Sequence, residues 1–147
     1  DNLLLFSIEN NCPKVAEDIL GIVVQNASLT KLLTRDDNGQ NALHYAPKCT
    51  EAFLSLLLET HPELMKESDD DELTILDSWI NIGKLWPFKY MISRDETKPR
   101  WKSSFLQLLD LVGRENKTPL HLAASSSSKD MVDIVKLLLD ASYNKST

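Results

Sequence analysis

The chain has 147 residues, of which 42% are hydrophobic, and this supplies enough apolar surface for the core of one domain. Its 16 Lys and Arg residues against 22 Asp and Glu residues give a net charge of −6 at pH 7. That balance argues against nucleic acid or a polybasic membrane contact as the main mode of binding. The apolar runs, such as residues 3–6, are too short to span a bilayer, and no signal-peptide pattern is visible.

The first predicted helical pair lies within residues 2–24. Residues 2–8 read NLLLFSI, and residues 19–24 supply the apolar part of a second helix. Pro13 marks the start of that second helix, because proline is tolerated in a first helical turn. Leucines within residues 29–33 predict a further helical turn before a polar tip at residues 36–39, where Asn38-Gly39 is a strong tight-turn signal.

Two further pairs follow in the middle of the chain. Residues 41–47 read NALHYAP, and Pro47 is expected to end this first helix early because it has no N–H to donate. Residues 53–58 form the second helix of that pair. The third pair begins at Thr74, after the acidic residues 69–72, and its second helix is predicted to begin at Pro87.

An insertion and the clearest pair complete the sequence. The insertion covers about residues 94–112 and contains a short amphipathic helix near residues 105–109, which we expect to pack back on the preceding helices. In the last pair, Thr118 is a good N-cap and Pro119 stands at the first helical position. After a serine-rich turn, residues 131–139 form a second amphipathic helix. Neither helix can bury its apolar face alone, so the pair needs a neighbour like itself.

The segment Thr118–Ala124 reads TPLHLAA and closely resembles the ankyrin-repeat signature T-P-L-H-x-A. Aligning the earlier segments on Thr118 places their starts at residues 2, 41, 74 and 118. The intervals are 39, 33 and 44 residues, against a family period of about 33, and the extra residues fall between units where a solenoid tolerates them.

The resemblance implies an all-α ankyrin-repeat α-solenoid of stacked helix-turn-helix units with enlarged inter-repeat loops. We predict a single domain over residues 1–147, with units at about 1–35, 36–68, 69–112 and 113–147. We expect this domain to be part of a longer protein.

Several residues have structural roles that the resemblance implies. The histidine of the signature, His121, is expected to tie one repeat's turn to the next. Asp77 replaces that histidine in the third unit, so its polar link must differ. Gly83 falls where the family has an inter-helix glycine. Trp79 stands where alanine is usual, so its ring must either push the neighbouring repeat outward or fill a space left by it.

The resemblance also implies protein recognition through finger tips and the concave face of the first helices. Carried over position by position, the candidate partner-binding residues are Asp37, Asn38, Gln40, Tyr45, Lys48, Asp70, Asp71, Leu73, Ser78, Asn81, Arg114, Glu115, Lys117, Leu122 and Ser125. Trp101 is a further candidate, because an aromatic ring beside Arg100 is typical of binding hot spots. The alternative is that its ring closes the widened gap between the third and fourth units.

Three further groups of polar residues each have a possible chemical role and a plainer structural one. The acidic residues 69–72 lack the ligand spacing of a calcium loop and are expected to form a solvated finger that steers a basic partner. The serines 125–128 fit a lengthened turn better than a nucleophile, and a phosphorylation site there stays open. The cysteines and histidines at residues 12, 44, 49 and 61 match no zinc spacing, and the two cysteines favour a reducing compartment. We predict no catalytic, metal or cofactor site.

The first functional hypothesis is a non-catalytic protein–protein interaction module: a scaffold, an adaptor, or a recognition domain in signalling or in an effector. It predicts a protein partner with a basic surface, no nucleic acid and no membrane insertion by this segment. The expected location is the cytoplasm, including the cytosolic part of a membrane protein or a secreted effector acting in a host cell. The alternative is an intramolecular structural or regulatory domain that docks on a catalytic or membrane domain of the same polypeptide.

Overall fold

The computed structural model describes residues 2–93, 100–112, 114–126 and 129–144, with the side chains of residues 93, 114, 143 and 144 excepted. Throughout these ranges the regular structure is helical, and they contain no β-strand. The α-helices are α1 (Leu3–Glu9), α2 (Pro13–Val24), α3 (Glu51–Thr60), α4 (Ile75–Ile82), α5 (Trp86–Ser93), α6 (Lys102–Asp110), α7 (Pro119–Ala124) and α8 (Asp130–Asn144). Shorter 3₁₀ turns lie at Ala27–Leu33, Ala46–Lys48, Pro62–Lys66 and Arg114–Asn116.

A polar residue caps the start of the first helical segment in every predicted unit. In the third unit, the Thr74 hydroxyl accepts a hydrogen bond from the Asp77 amide at 3.2 Å, and the Asp77 carboxylate accepts one from the Thr74 amide at 3.1 Å. This reciprocal capping box satisfies two amides that a helix start leaves without partners. The capping residues are Asn2, Asn41, Thr74 and Thr118. They are the four residues that the alignment on Thr118 selects, so the sequence places these starts correctly.

The helical hairpins are arranged in two layers. The second helices α2, α3, α5 and α8 pack side by side in that order, while α4 packs on the Ala46–Lys48 turn and on α7. Side chains between the layers form one continuous core, and those with no exposed surface include Leu4, Leu20, Phe53, Leu57, Trp79, Phe88, Phe105 and Ile134. Each hairpin buries its apolar face against a neighbouring hairpin, as the amphipathic pattern requires.

The first segment of the second unit does not form an α-helix. Its amides bond to carbonyls three residues earlier, including the Ala46 amide to the Leu43 carbonyl at 3.2 Å. In an α-helix the Leu43 carbonyl would accept from residue 47, which is Pro47 and has no N–H. The prediction that Pro47 merely shortens this helix is therefore corrected, because the whole segment tightens into 3₁₀ geometry.

Trp79 occupies the space that this tight segment leaves. Its ring is fully buried, its indole N–H donates to the Leu43 carbonyl at 2.8 Å, and it meets Phe88 edge-to-face with ring centroids 5.9 Å apart. Trp86 adds a second bond, from its indole N–H to the Pro47 carbonyl at 3.2 Å. Of the two outcomes expected for Trp79, the structure therefore shows that the ring fills a space.

The turn between α4 and α5 forms where the sequence predicts it. Gly83 ends α4 with a φ of +81°, a left-handed conformation that glycine adopts without steric cost. Helix α5 begins at Trp86, one residue before the predicted start at Pro87.

The insertion packs back on the stack, which confirms that part of the prediction. Helix α6 contacts α7, α8 and the Pro62–Lys66 turn, and it buries Phe105, Leu108 and Leu109. Residues 94–99, the first part of the predicted insertion, lie outside the described residues.

Candidate protein-binding surface

The first finger, residues 36–40, is organised by the side chain of Asp36. Its Oδ1 atom accepts hydrogen bonds from the amides of Asn38 and Gln40 at 2.9 and 3.0 Å. The Asp36 amide donates to the Gln40 carbonyl at 2.8 Å, which closes the loop. Because an aspartate can bond to its own following backbone, this residue fixes the turn locally.

The second finger, residues 69–73, repeats the first finger's arrangement with an offset of 33 residues. The Oδ1 atom of Asp69 accepts from the amides of Asp71 and Leu73 at 2.8 and 2.9 Å. The Asp69 amide donates to the Leu73 carbonyl at 2.9 Å. Asp69 is only 7% exposed, so the expectation that residues 69–72 are all solvated is wrong for this residue, which holds the loop together.

The two fingers are joined directly to each other. The Gln40 side-chain amide donates to Asp69 Oδ2 at 3.0 Å, and the Asp70 amide donates to the Asn38 carbonyl at 3.0 Å. Gly39, at a φ of +79°, makes this approach possible, because an added Cβ would stand 2.6 Å from the Asp70 amide nitrogen. The finger tips therefore form one preorganised surface rather than two independent loops.

The third finger is built differently. The residue aligned with Asp36 and Asp69 is Gly113, which has no side chain to organise a turn. Glu115 and Asn116 both have positive φ, at 60° and 58°, and Glu115 forms an exposed ion pair with Lys117 at 3.2 Å.

His44 lies beneath the first two fingers and caps its own segment. Its Nδ1 atom accepts a hydrogen bond from the Asn41 amide at 3.1 Å, and the ring is fully buried. Burial lowers the pKa of His44 from its ordinary value, while the charge of Asp69 opposes that shift. Its Nε2 atom has no hydrogen-bond partner among the described residues.

The aligned residues of the other units behave differently from His44. Burial raises the pKa of Asp77, although bonds from the Thr74 amide and hydroxyl oppose the shift. His121 is exposed, and its Nδ1 atom pairs with the Thr118 hydroxyl at 2.7 Å within its own unit. In the part of the chain that the structure describes, His121 therefore makes no tie to another turn, which corrects the implied role.

Tyr45 connects the first finger to the concave face. Its hydroxyl donates to Asp36 Oδ2 at 2.6 Å, and the Lys48 ammonium lies 5.7 Å from the ring centroid. Burial raises the pKa of Tyr45, and Asp36 and Glu9 raise it further. The hydrogen bond to Asp36 fixes the orientation of this half-buried phenol.

The predicted partner-binding residues fall into three groups by exposure. The exposed residues are Asp37, Asn38, Lys48, Asp70, Asp71, Asn81, Glu115, Lys117 and Ser125. Half-buried residues are Gln40, Tyr45, Leu73 and Leu122. The buried residue on the concave face is Ser78, at 5% exposed, so it offers little surface to a partner. The Arg114 side chain lies outside the described residues, as do Ser127 and Ser128 of the predicted serine turn.

Trp101 is a correction to the predicted set. Its ring is 3% exposed, stacks on Tyr90 with centroids 6.2 Å apart, and lies under the Lys102 ammonium at 5.9 Å. The reading of Trp101 as an exposed anchor is therefore wrong. The buried ring packs on Tyr90 of α5, which favours the alternative that it closes the gap between the third and fourth units.

Two clefts lie along the candidate surface. The larger, of about 900 Å³, is lined by Leu3, Phe6 and Glu9 of α1 and by residues 34–37 at the base of the first finger, with Asn2, Leu5, Lys31 and Leu32 completing it. The smaller, of about 470 Å³, includes three predicted residues, Asn81, Leu122 and Ser125.

Phe6 is the main surface residue that the sequence analysis missed. It stands 39 residues before Tyr45, at the same aligned position, and is 61% exposed. The alignment with Tyr45 could have indicated it, but the candidate surface was not carried over into the first unit.

The described residues hold no group of three or more His, Cys, Asp or Glu side chains placed to bind a metal ion. Cys12 and Cys49 are free thiols. None of the described helices combines the length and the apolar character needed to cross a membrane.

The stacked hairpins and their projecting fingers define an α-helical repeat protein. Residues 115–147 match the family model described as Ankyrin repeat, and this range contains α7 and α8. Residues 115–147 therefore carry an ankyrin repeat, and the helical, strand-free structure of the described residues is consistent with an all-α ankyrin-repeat solenoid. Searches of curated proteins and of solved structures returned no match to the chain. Ankyrin repeats generally serve as protein–protein interaction modules and are typically non-catalytic.

Proposed function

We propose that this chain is a non-catalytic protein-binding domain, acting as a scaffold, an adaptor or an effector-recognition domain in signalling. It binds a partner with a basic surface through its fingers and concave face. The observation that carries this proposal is the rigid pair of fingers, whose tips present exposed carboxylates. Those carboxylates, for which the described residues provide no ion-pair or hydrogen-bond partner, are Asp37, Asp70, Asp71 and Glu72.

Rigid, charged finger tips suit recognition for two physical reasons. A surface that is already ordered loses less conformational entropy on binding than a mobile loop does. Clustered carboxylates attract a basic partner over distance and raise the association rate, an effect that salt screens. The net charge of −6 makes nucleic acid an unfavourable partner for the same surface.

We further propose that residues 1–147 form one domain of four units, at about 1–35, 36–68, 69–112 and 113–147, and that it works in the cytoplasm. The free thiols of Cys12 and Cys49 support a reducing compartment. The cytosolic part of a membrane protein and a secreted effector inside a host cell share that environment. Compartment-specific labelling of the tagged protein tests the location, and recovery from the secretory lumen would contradict it.

The binding function is tested by affinity capture with charge-reversal variants. Partners captured by the wild-type domain should be lost with Asp37→Lys plus Asp70→Lys, because both carboxylates lie on the fingers. The matched control is Asp18→Lys plus Asp133→Lys, which changes net charge equally at exposed positions on α2 and α8. Equal loss in both variants, or in neither, would contradict binding through the fingers.

A second candidate, intramolecular docking, is favoured by the outer face of α8. Residues 53–58 read FLSLLL and residues 134–139 read IVKLLL, which aligns Leu58 with Leu139. Leu58 is 1% exposed whereas Leu139 is 51% exposed, and Val132 nearby is 55% exposed. Terminal repeats of an independent solenoid need polar outer faces, so this apolar face supports docking on another domain of the same polypeptide.

Docking through α8 is tested by sedimentation and thermal unfolding of the isolated domain. If the face is normally covered, the wild-type domain should self-associate as concentration rises, and Val132→Ser plus Leu139→Ser should abolish this. A wild-type domain that stays monomeric and is unaffected by the substitutions would favour the independent binding module.

A further inference from the structure

The larger cleft, which we call the α1 cleft, is apolar on one side. Leu3 and Phe6 are 59% and 61% exposed, and both line it from α1. Single exposed apolar residues are common on protein surfaces. These two lie one helical turn apart in a single concavity of about 900 Å³, which is the size of a ligand-binding pocket.

The exposure of these side chains is not caused by a missing core. The other apolar residues of α1, Leu4, Leu5 and Ile8, are at most 3% exposed and pack inward. Helix α1 therefore buries one face in the core and exposes Leu3 and Phe6 on another.

The opposite wall of the α1 cleft is held in place by hydrogen bonds. The Asn2 side-chain amide donates to the Leu32 carbonyl at 2.8 Å, which joins the start of α1 to the 3₁₀ turn Ala27–Leu33. The Arg35 guanidinium donates to the Ser68 carbonyl at 3.0 Å, which ties the base of the first finger to the second. The cleft is thus preformed, because both ends of this wall are tied to neighbouring segments.

The rim of the α1 cleft has an acidic excess that continues along the fingers. Glu9 and Asp37 stand at the rim and are exposed, and Asp70, Asp71 and Glu72 follow on the next tip. Asp36 also lines the cleft, but its carboxylate is already bonded to Tyr45 and to two amides. The cations at the cleft are Lys31 and Arg35, and Arg35 is turned towards the second finger.

We propose that the α1 cleft binds a peptide segment of a partner protein in which two large apolar side chains are followed by Lys or Arg. The apolar pair contacts Leu3 and Phe6, and the basic residues run along the carboxylates of the finger tips. This inference rests on the proposed protein-binding function and gives the chemistry of the segment that the domain recognises. Charge complementarity favours this occupant, because the exposed carboxylates of Glu9 and Asp37 line the cleft and those of the second finger tip follow.

The probe is a phage-displayed library of random peptides of about twelve residues, selected on the wild-type domain. The enriched peptides should pair two large apolar residues with Lys or Arg, and should be depleted in Asp and Glu. Leu3→Ser plus Phe6→Ser should raise the Kd of a selected peptide about tenfold or more. The matched control, Val15→Ser plus Ile22→Ser, removes similarly exposed apolar residues of α2 that do not line the cleft and should leave Kd unchanged.

The contribution of the finger carboxylates to peptide binding is tested with the same peptides. Asp37→Lys plus Asp70→Lys should weaken binding, and the wild-type association rate should fall between about 50 mM and about 200 mM salt. Circular dichroism of every variant establishes that the helices are retained, as expected for changes at exposed positions.

Several outcomes would overturn the inference. In the selection, these outcomes are enrichment of acidic or wholly polar peptides, or no enrichment at all. With the variant, they are peptide binding that Leu3→Ser plus Phe6→Ser leaves intact, or a wild-type dimer that the same substitutions dissociate. The last result would assign the cleft to a second copy of the chain. None of these contradicts the proposed function itself, which fails if the finger variant and its charge control lose partners equally, or if neither loses any.

Discussion

The Trp79 indole and the Leu43 carbonyl form a hydrogen bond between the second and third predicted units, at a carbonyl to which Pro47 cannot donate. The Leu43 carbonyl would accept from residue 47 in an α-helix, but that residue is Pro47. This carbonyl accepts instead from the Ala46 amide at 3.2 Å and from the Trp79 indole of the next unit at 2.8 Å, and the indole is fully buried. The two departures from the repeat pattern, a proline and a tryptophan, are therefore coupled.

The first prediction follows from that bond. Trp79→Phe keeps an aromatic ring but removes the donor, so the free energy of unfolding should fall by about 1–3 kcal/mol, as measured by urea denaturation. Trp86→Phe should cost less, because Trp86 is only part-buried and its bond to the Pro47 carbonyl is longer, at 3.2 Å.

Pro47→Ala provides the decisive background for this prediction. The new amide can donate to the Leu43 carbonyl, so Trp79→Phe should cost less free energy in the Pro47→Ala protein than in the wild type. Additive losses in the double-mutant cycle would show that the two residues are not coupled.

The second prediction concerns the contact between fingers at Gly39. Gly39→Ala should lower the free energy of unfolding by about 1 kcal/mol or more, because φ is +79° and the added Cβ would stand 2.6 Å from the Asp70 amide nitrogen. Chemical denaturation measures the loss. Gly21→Ala is the control: Gly21 lies inside α2 with open space around it, so this change should stabilise the protein by about 0.5–1 kcal/mol. An unchanged stability for Gly39→Ala would mean that the fingers are not in close contact.

The third prediction concerns pH. Because burial lowers the pKa of His44 in the folded protein, protons bind preferentially to the unfolded chain. The contribution of neutral His44 to the free energy of unfolding is fully present above the ordinary histidine pKa of about 6.5. It is lost as the pH falls below that pKa, by up to about 1.4 kcal/mol per pH unit. Urea denaturation between about pH 8 and about pH 5 should show this loss.

His44→Gln should flatten that part of the pH profile, whereas His121→Gln, at the aligned and exposed position, should not. A wild-type profile that is flat in this range, or that rises towards acid, would contradict the burial of a neutral His44.

The fourth prediction distinguishes the two thiols. Burial raises the pKa of Cys49 to about 12, whereas Cys12 is exposed. At mildly alkaline pH a thiol reagent should modify Cys12 rapidly and Cys49 only on unfolding, since the thiolate is the reactive form. Two fast-reacting thiols in the native protein would contradict the packing of Cys49 beside Tyr45.

Sequence alone predicts the recurring features of this fold well. The N-cap residues Asn2, Asn41, Thr74 and Thr118 fall where one alignment places them, because capping depends on local residue types. The inserted helix is also predictable, since its apolar residues follow the helical period.

Features that depend on contacts between units cannot be predicted from the sequence. Nothing local indicates that Trp101 stacks on Tyr90 or that Asp69 is buried, because both depend on what the neighbouring segment leaves open. Phe6 is the opposite case, an apolar residue that is exposed. The other apolar residues of α1 already pack in the core, so Phe6 lies on the solvent side of the helix.

The measurement that tests the central claim most directly is hydrogen–deuterium exchange of the domain with and without a captured partner. We expect partner-dependent protection in residues 2–9, 34–41 and 68–74, which contain α1 and the two joined fingers. Residues 130–144, in α8, should exchange equally in both samples. Protection confined to α8, with no change in the fingers, would contradict recognition through this surface.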